Sequence, residues 1–231
     1  MPTLLITGAN RGLGLEFVKQ YAAAGWRVLA ACRTPAQADA LQALAAASAG
    51  RVTLHALDVA DFSAIDALAR QLHDTPIDLI INNAGIYPDH HSSFGHINYE
   101  AWPQAFRINT MAPLKMAEAF VGNLDLGQGK TIATISSKMG SLDDNTSGSY
   151  YFYRSSKTAV NMVVKSLSLD LAPRGIRAVV LHPGWVQTDM GGPNALITAE
   201  TSVAGMRKVL ERLTAEDSGR FLSFDGTEVA W

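Results

Sequence analysis

The chain has 231 residues, 48% hydrophobic and 17% charged, so a large buried core is feasible and the composition is not that of a disordered protein. The net charge of −2 supplies no general attraction for nucleic acid or an anionic membrane, and Cys32, the only cysteine, excludes an intramolecular disulfide or a thiolate metal cluster. No apolar run reaches the roughly 18 residues of a membrane span, since Arg27 interrupts the best early candidate. The first residues lack the basic lead of a secretion signal, so a cytoplasmic protein is expected.

In chain order, apolar β-rich runs alternate with helical patterns. A strand over 3–7 leads through a glycine turn into a helix over 12–24. Next come a strand over 26–31, a helix over 35–47 with Pro35 in its first turn, and a strand over 51–57. A helix over 61–73 follows, with Asp61 as N-cap, then a strand over 77–82 and a helix over 99–121. A strand over 130–136, a helix over 151–172, a strand over 176–182, a helix over 199–214 and a last strand near 220–224 complete the pattern. Strict alternation implies βαβ units. The expected fold is α/β, a doubly wound Rossmann-type parallel sheet of about seven strands, with ligands at the C-terminal strand ends. One domain over 1–231 is expected, with a short lid at about 187–215 and Gly191-Gly192 as its hinge.

The turn Thr7-Gly8-Ala9-Asn10-Arg11-Gly12-Leu13-Gly14 lies between the first strand and the first helix. Glycines permit a tight turn and close backbone approach, and a helix N-terminus offers free N–H groups to a pyrophosphate. Its spacing is neither G-x-G-x-x-G nor a P-loop, and a purely structural turn remains open. Where a fold binding NAD tends to place an acidic residue on the ribose 2′-hydroxyl, this chain has Cys32-Arg33-Thr34. Arg33, helped by Arg11, can pair with a 2′-phosphate, which favours NADP(H); the alternative is two ordinary solvated charges. Asp58-Val59 and Asn82-Asn83-Ala84-Gly85 end the third and fourth strands, where a dinucleotide would cross the sheet or where polar residues merely form turns.

Tyr153 and Lys157 stand at i and i+4, which share one helix face. A tyrosine keeps its proton to pH ~10, and a nearby cation lowers that value, so the pair can make a usable acid. Tyr150 and Arg154 have the same spacing, but arginine stays protonated throughout. Ser136 and Ser137 are adjacent, so a one-residue slip of the fifth strand would exchange which of them faces a site.

Together these residues resemble the short-chain dehydrogenase/reductase family in its short single-domain branch. The matching pieces are Thr7-Gly8-x-x-x-Gly12-x-Gly14, Asp58-Val59, Asn82-Asn83-Ala84-Gly85, Asn109, Ser137, Tyr153-x-x-x-Lys157, and Pro183-Gly184 with Val186 and Thr188. They occur in the family's order over nearly the whole chain, and the runs around Tyr153 and Pro183 look most like the C-factor and sniffer-type carbonyl reductases. The resemblance implies that Tyr153 donates a proton to a carbonyl oxygen, Ser137 hydrogen-bonds that oxygen, and Lys157 tunes the tyrosine and holds the nicotinamide ribose. Asn109 would position a water relaying protons through Lys157. It further implies that Gly8, Asn10, Gly12, Leu13 and Gly14 wrap the pyrophosphate and adenosine, Asp58 faces the adenine, and Val186 and Thr188 grip the carboxamide. Of the two adjacent serines, the family pattern selects Ser137.

The expected activity is therefore NADPH-dependent reduction of a small aldehyde or ketone. A dinucleotide-binding signalling or sensor protein of the C-factor kind is the alternative. The helices over 99–121 and 151–172 would pair two copies as a homodimer, as is usual in the family. His90, His91 and His96 are read as a loop near the pocket mouth and His182 as structural; no metal is expected. Serines, histidines and aspartates are all present, but no G-x-S-x-G elbow marks a hydrolase of that type.

Overall fold

The computed structural model describes residues 1–88 and 93–231. Its centre is a seven-stranded sheet built from β1 (Thr3–Thr7), β2 (Arg27–Cys32), β3 (Val52–Ala56), β4 (Leu79–Asn82), β5 (Thr131–Ile135), β6 (Arg177–His182) and β7 (Phe221–Ser223). The spatial order is β3-β2-β1-β4-β5-β6-β7, and every neighbouring pair is parallel. The order reverses between β1 and β4, the position at which a doubly wound sheet opens a crevice beyond its C-terminal strand ends.

Successive strand residues face opposite sides, so a sheet covered on both faces needs near-continuous apolar strands. β1 satisfies this with Leu4, Leu5 and Ile6, none of them exposed. The registers Leu5↔Leu29, Leu5↔Ile80, Ile80↔Ile132 and Ile132↔Ala178 line up one face. That face packs with Ile65 of helix α3 (Phe62–Gln71), Phe120 of α5 (Ala112–Leu126) and Val164 of α6 (Tyr151–Asp170). Leu4, Ile6, Ile81, Ala133 and Val179 form the other face. They pack with Phe17 of α1 (Gly12–Ala23), Leu41 of α2 (Asp39–Ala47) and Val203 of α7 (Ala199–Arg212).

Asp61 caps α3 as expected, its carboxylate accepting from the N–H groups of Ser63 and Ala64. Pro35 opens a short 3-10 turn, Pro35–Gln37, and α2 proper starts only at Asp39, two separate pieces where one helix over 35–47 was expected. The helix expected over 99–121 is also divided. α4 (Trp102–Phe106) leads into a π turn, Arg107–Met111, before α5 resumes with Pro113 in its first turn. A π turn inserts one residue into the ladder and rotates the next helical turn relative to the last, and here it carries Asn109. The stretch read as a lid separates into a loop over 187–198 and α7, whose Val203 and Met206 are wholly buried against the sheet. Among the described residues no helix is long and apolar enough to cross a membrane.

Candidate active site

The glycine turn leaves β1 at its C-terminal end. Gly8 has φ +66° and Gly12 φ +53°, the left-handed region that glycine enters without penalty. At Gly14 a Cβ would stand 2.1 Å from the Gly8 carbonyl oxygen, so the turn closes only without a side chain there. Asn83 locks it from β4: its side-chain amide donates to the carbonyls of Thr7 (3.0 Å) and Gly8 (3.1 Å), and the Thr7 hydroxyl accepts from the Asn83 and Ala84 N–H groups. Ala9 ties the turn to β2 through a 3.1 Å bond to the Ala31 carbonyl. Asn10 and Arg11 project from it exposed, while Leu13 is half-buried against the core.

The remaining predicted dinucleotide residues lie along the same edge. Arg33 directly follows β2 and is exposed. Asp58 is exposed and accepts from the Ala60 N–H (2.9 Å), with Val59 buried beside it. Asn82 donates to Thr134 (3.3 Å), and its Oδ1 is buried with no hydrogen-bond partner. Across the crevice, Gly184 (φ +82°) turns the chain after Pro183, whose carbonyl accepts from the Ser202 hydroxyl (2.6 Å). Val186 is buried, and Thr188 stands over the glycine turn, its Cγ2 3.4 Å from where a Gly12 Cβ would lie. An exposed ion pair between Arg11 and Asp189 (2.8 Å) spans the same two segments. The Gly191-Gly192 pair is a closed turn: Trp185 Nε1 donates to the Gly191 carbonyl (2.8 Å) and the Gly192 N–H to that of Thr188 (2.8 Å).

Beyond β5, Ser136 and Ser137 part ways. Ser136 is buried and donates to Asn161 Oδ1 (2.7 Å), and Asn161 in turn donates to the Gly140 carbonyl (3.2 Å). Ser137, half-buried, accepts from the Met139 N–H (3.1 Å) at the head of a 3-10 turn and shares a hydrogen bond with Tyr153. It is thus Ser137, not its neighbour, that meets Tyr153. Gly140 holds this turn against α6, since a Cβ there would come within 2.8 Å of the Lys157 backbone.

Tyr153 and Lys157 are 8% and 5% exposed, stacked on one face of α6, with Nζ 5.6 Å from the phenol ring centre. Lys157 donates to the Ile135 carbonyl at 2.8 Å. Burial pushes the Lys157 ammonium down to about 8 and the Tyr153 phenol up to about 12, the latter against a smaller lowering from its bond with Ser137. Desolvation is the larger effect on the phenol, and the Lys157 cation lies over the ring, engaged by a carbonyl. Tyr153 is therefore held as a protonated hydrogen-bond donor at neutral pH.

Asn109 is fully enclosed. Its Oδ1 accepts from the Ile86 N–H (2.9 Å) and its Nδ2 donates to the Ile86 carbonyl (2.9 Å) and to the Ser156 hydroxyl (3.0 Å). Thr110 adds a bond to the Ser156 carbonyl (2.8 Å), pinning the π turn to α6. Gly85 joins this cluster to the reacting pair: a Cβ there would stand 3.3 Å from Asn109 Oδ1 and 3.7 Å from Lys157 Nζ, filling the space between them.

Ser156 and Asn161 were not singled out as site residues from sequence, and Asn83 was read only as part of the strand-end run Asn82-Asn83-Ala84-Gly85. Asn161 had a visible signal, since 153, 157 and 161 continue one i, i+4 stripe. Ser156 and Asn83 act through contacts 47 and 76 residues distant in the chain, which no local pattern marks. His90 and His91 lie outside the described residues, and His96 is exposed a few residues further along. His182 accepts through Nδ1 from the Lys138 N–H (3.2 Å), with its imidazolium pushed down to about 4 by burial and by Lys138. Among the described residues no group of three or more His, Cys, Asp or Glu is placed to hold a metal ion.

Comparison with known proteins places the arrangement. Residues 2–196 match the short chain dehydrogenase family. The chain is 46% identical to the C-signal protein of Myxococcus xanthus over 165 residues, 71% of this chain and 99% of that one. Among solved structures it is similar to the carbonyl reductase Sniffer of D. melanogaster, with TM-score 0.93, 35% identity and both chains covered completely. An NADPH-bound carbonyl reductase from chicken fatty liver aligns with TM-score 0.92 and 36% identity, over 100% of this chain and 99% of that one.

Proposed function

The chain belongs to the short-chain dehydrogenase family, and from that premise we propose that it is an NADPH-dependent carbonyl reductase acting on a small aldehyde or ketone. The observation that carries the reading is the meeting of Ser137, Tyr153 and Lys157 at the C-terminal sheet edge, with the phenol held protonated by its surroundings. The crevice residues fit a dinucleotide. The glycine turn keeps backbone free of side chains, Asn82 presents a buried unpaired acceptor, and Gly85 keeps the wall before Lys157 bare. Exposed Arg33 at the end of β2, with no carboxylate beside it in sequence, supports NADPH over NADH. The chicken carbonyl reductase, similar over the whole chain, was crystallised with NADPH.

When bound, the nicotinamide supplies hydride to the carbonyl carbon. The chain's own residues do the rest. The hydroxyls of Ser137 and Tyr153 hold the carbonyl oxygen, and Tyr153 gives up its proton as negative charge develops there. A buried phenol at about 12 still loses its proton to an alkoxide, the stronger base. Lys157 holds the ribose hydroxyls and stabilises the phenolate left behind. The Asn109 side chain is committed to Ile86 and Ser156, so it sets the shape of the space before Lys157 through which a water returns the proton.

The same proposal includes a single domain over 1–231, the loop over 187–198 as a short lid, and a cytoplasmic location in keeping with one buried cysteine, Cys32. It also includes a homodimer formed through exposed Met111, Leu114, Met162 and Leu169 on the π turn, α5 and α6. A monomer in light scattering at micromolar concentration would refute the dimer. The activity is tested by NADPH and NADH oxidation over a panel of aldehydes, ketones, diketones and quinones, in which turnover with NADPH is expected to exceed that with NADH. The likeness to C-signal supports a second reading, a dinucleotide-binding signalling protein. Saturable NADPH binding without oxidation across the panel would favour it.

A further inference from the structure

The segment that enters α6 holds a backbone its residues do not favour. Gly148, Ser149 and Tyr150 are consecutive, with φ of +65°, +54° and +55°. Glycine takes such values freely, but side-chain-bearing residues do so rarely and only where the surroundings force them. Tyr150 also occupies the N-cap of α6, where Ser, Thr, Asp or Asn would accept from the first turn, and it makes no capping hydrogen bond. Helix formation therefore gives no reason for a tyrosine here.

Two side chains hold this loop, the first being Asn145, whose Oδ1 accepts from the Gly148 N–H (3.1 Å). Arg154 donates from Nε to the Gly148 carbonyl (3.2 Å), from Nη2 to the Ser147 hydroxyl (2.9 Å) and from Nη1 to the Met139 carbonyl (3.4 Å). Its guanidinium thus ties the loop before α6 to the turn that carries Ser137. What the strained backbone delivers is the Tyr150 ring, 6.0 Å from that of Tyr87, which itself meets Tyr153 edge-on at 4.7 Å and 78°. The three rings form a continuous aromatic wall. It starts at the buried phenol and ends at Tyr150, which is 39% exposed.

We propose that Tyr150 is a specificity-determining residue selecting carbonyl compounds with a flat conjugated ring, and that Arg154 is the positioning residue that holds it in the wall. The proposal rests on the reading of this site as a carbonyl reductase. A flat ring lies against tyrosine faces and edges along its whole surface, whereas a puckered saturated ring of the same skeleton touches them only in part. Aromatic pairing of this kind corresponds to a preference of about fivefold.

The test compares acetophenone with cyclohexyl methyl ketone, which share a skeleton and differ in flatness. Their affinities are measured by calorimetry with excess NADP+, so that nothing turns over. Wild-type protein and Tyr150→Phe should bind acetophenone about fivefold more tightly. Tyr150→Gly, which suits the left-handed backbone, should bind the two equally, and Arg154→Ala should lose most of the preference. Equal wild-type affinities, no measurable acetophenone binding, or a preference that survives in Tyr150→Gly would overturn the proposal. NADPH consumption with the same ketones separates the two readings: a binding preference without turnover would sink the reductase and leave the wall standing.

Discussion

The two ends of the sheet both bury ionisable groups, and they do so with opposite electrostatic results. At the N-terminal end, Asp78 immediately precedes β4 and accepts from the N–H groups of Thr3 (2.7 Å), Gln128 (2.8 Å) and Gly129 (2.9 Å). Burial alone would raise its carboxyl, but those three donors more than reverse this and hold it below the usual carboxylate range. At the C-terminal end, burial pushes Lys157 and Tyr153 toward their neutral forms, and no set of hydrogen bonds offsets it. A charge fully solvated by backbone contributes to holding the fold. A charge left under-solvated costs stability and is retained for chemistry.

Removing each group should therefore move stability in opposite directions. Lys157→Met is expected to lower kcat/KM for carbonyl reduction on the order of a thousandfold while raising the unfolding free energy by about 1–3 kcal/mol. Asp78→Ala should lose about 3 kcal/mol in a denaturant titration, because three buried N–H groups are left without a charged acceptor, with turnover per folded molecule unchanged. If Lys157→Met destabilised the protein as much as Asp78→Ala, the distinction between the two ends would fail.

A smaller effect sharpens the comparison through pH. The folded-state value for Lys157, about 8, lies below its ordinary 10.5, so the unfolded chain binds more protons between these values and stability rises with pH there. Between pH 8 and 10 the gain should approach about 1 kcal/mol per unit and be missing in Lys157→Met. Over the same interval reductive turnover should fall, since the ammonium that steadies the phenolate is being lost. A reductive plateau running undiminished past pH 10 would contradict the assignment. Asp78 acts in the other direction, its contribution being lost only as acid protonates the carboxylate below its ordinary range.

Much of this was legible in the sequence because it depends on local pattern. The apolar runs at 3–7 and 77–82, the glycines at 8, 12 and 14, and the four-residue step from Tyr153 to Lys157 each carry their geometry within a few residues. The π turn at Asn109 left no such mark, since the helical pattern continues on both sides of it and the extra residue is accommodated by bonds to Ile86 and Ser156. The upward displacement of the Tyr153 pKa was equally hidden: spacing reveals that a cation is near, but not how much water burial removes. Arg154 looked like a decoy beside Lys157 and proves to clasp a loop, which only the partners at Gly148, Ser147 and Met139 reveal. The stretch 187–215 looked like one piece because α7 is amphipathic, and its buried side meets the sheet.

The most direct test monitors NADPH absorbance after mixing cofactor-loaded protein with a reducible carbonyl, in wild type and Tyr153→Phe. The account predicts that wild type consumes NADPH and that the variant is slower by about 10²–10⁴-fold with NADPH affinity unchanged. A Tyr153→Phe variant that consumes NADPH at the wild-type rate would contradict it.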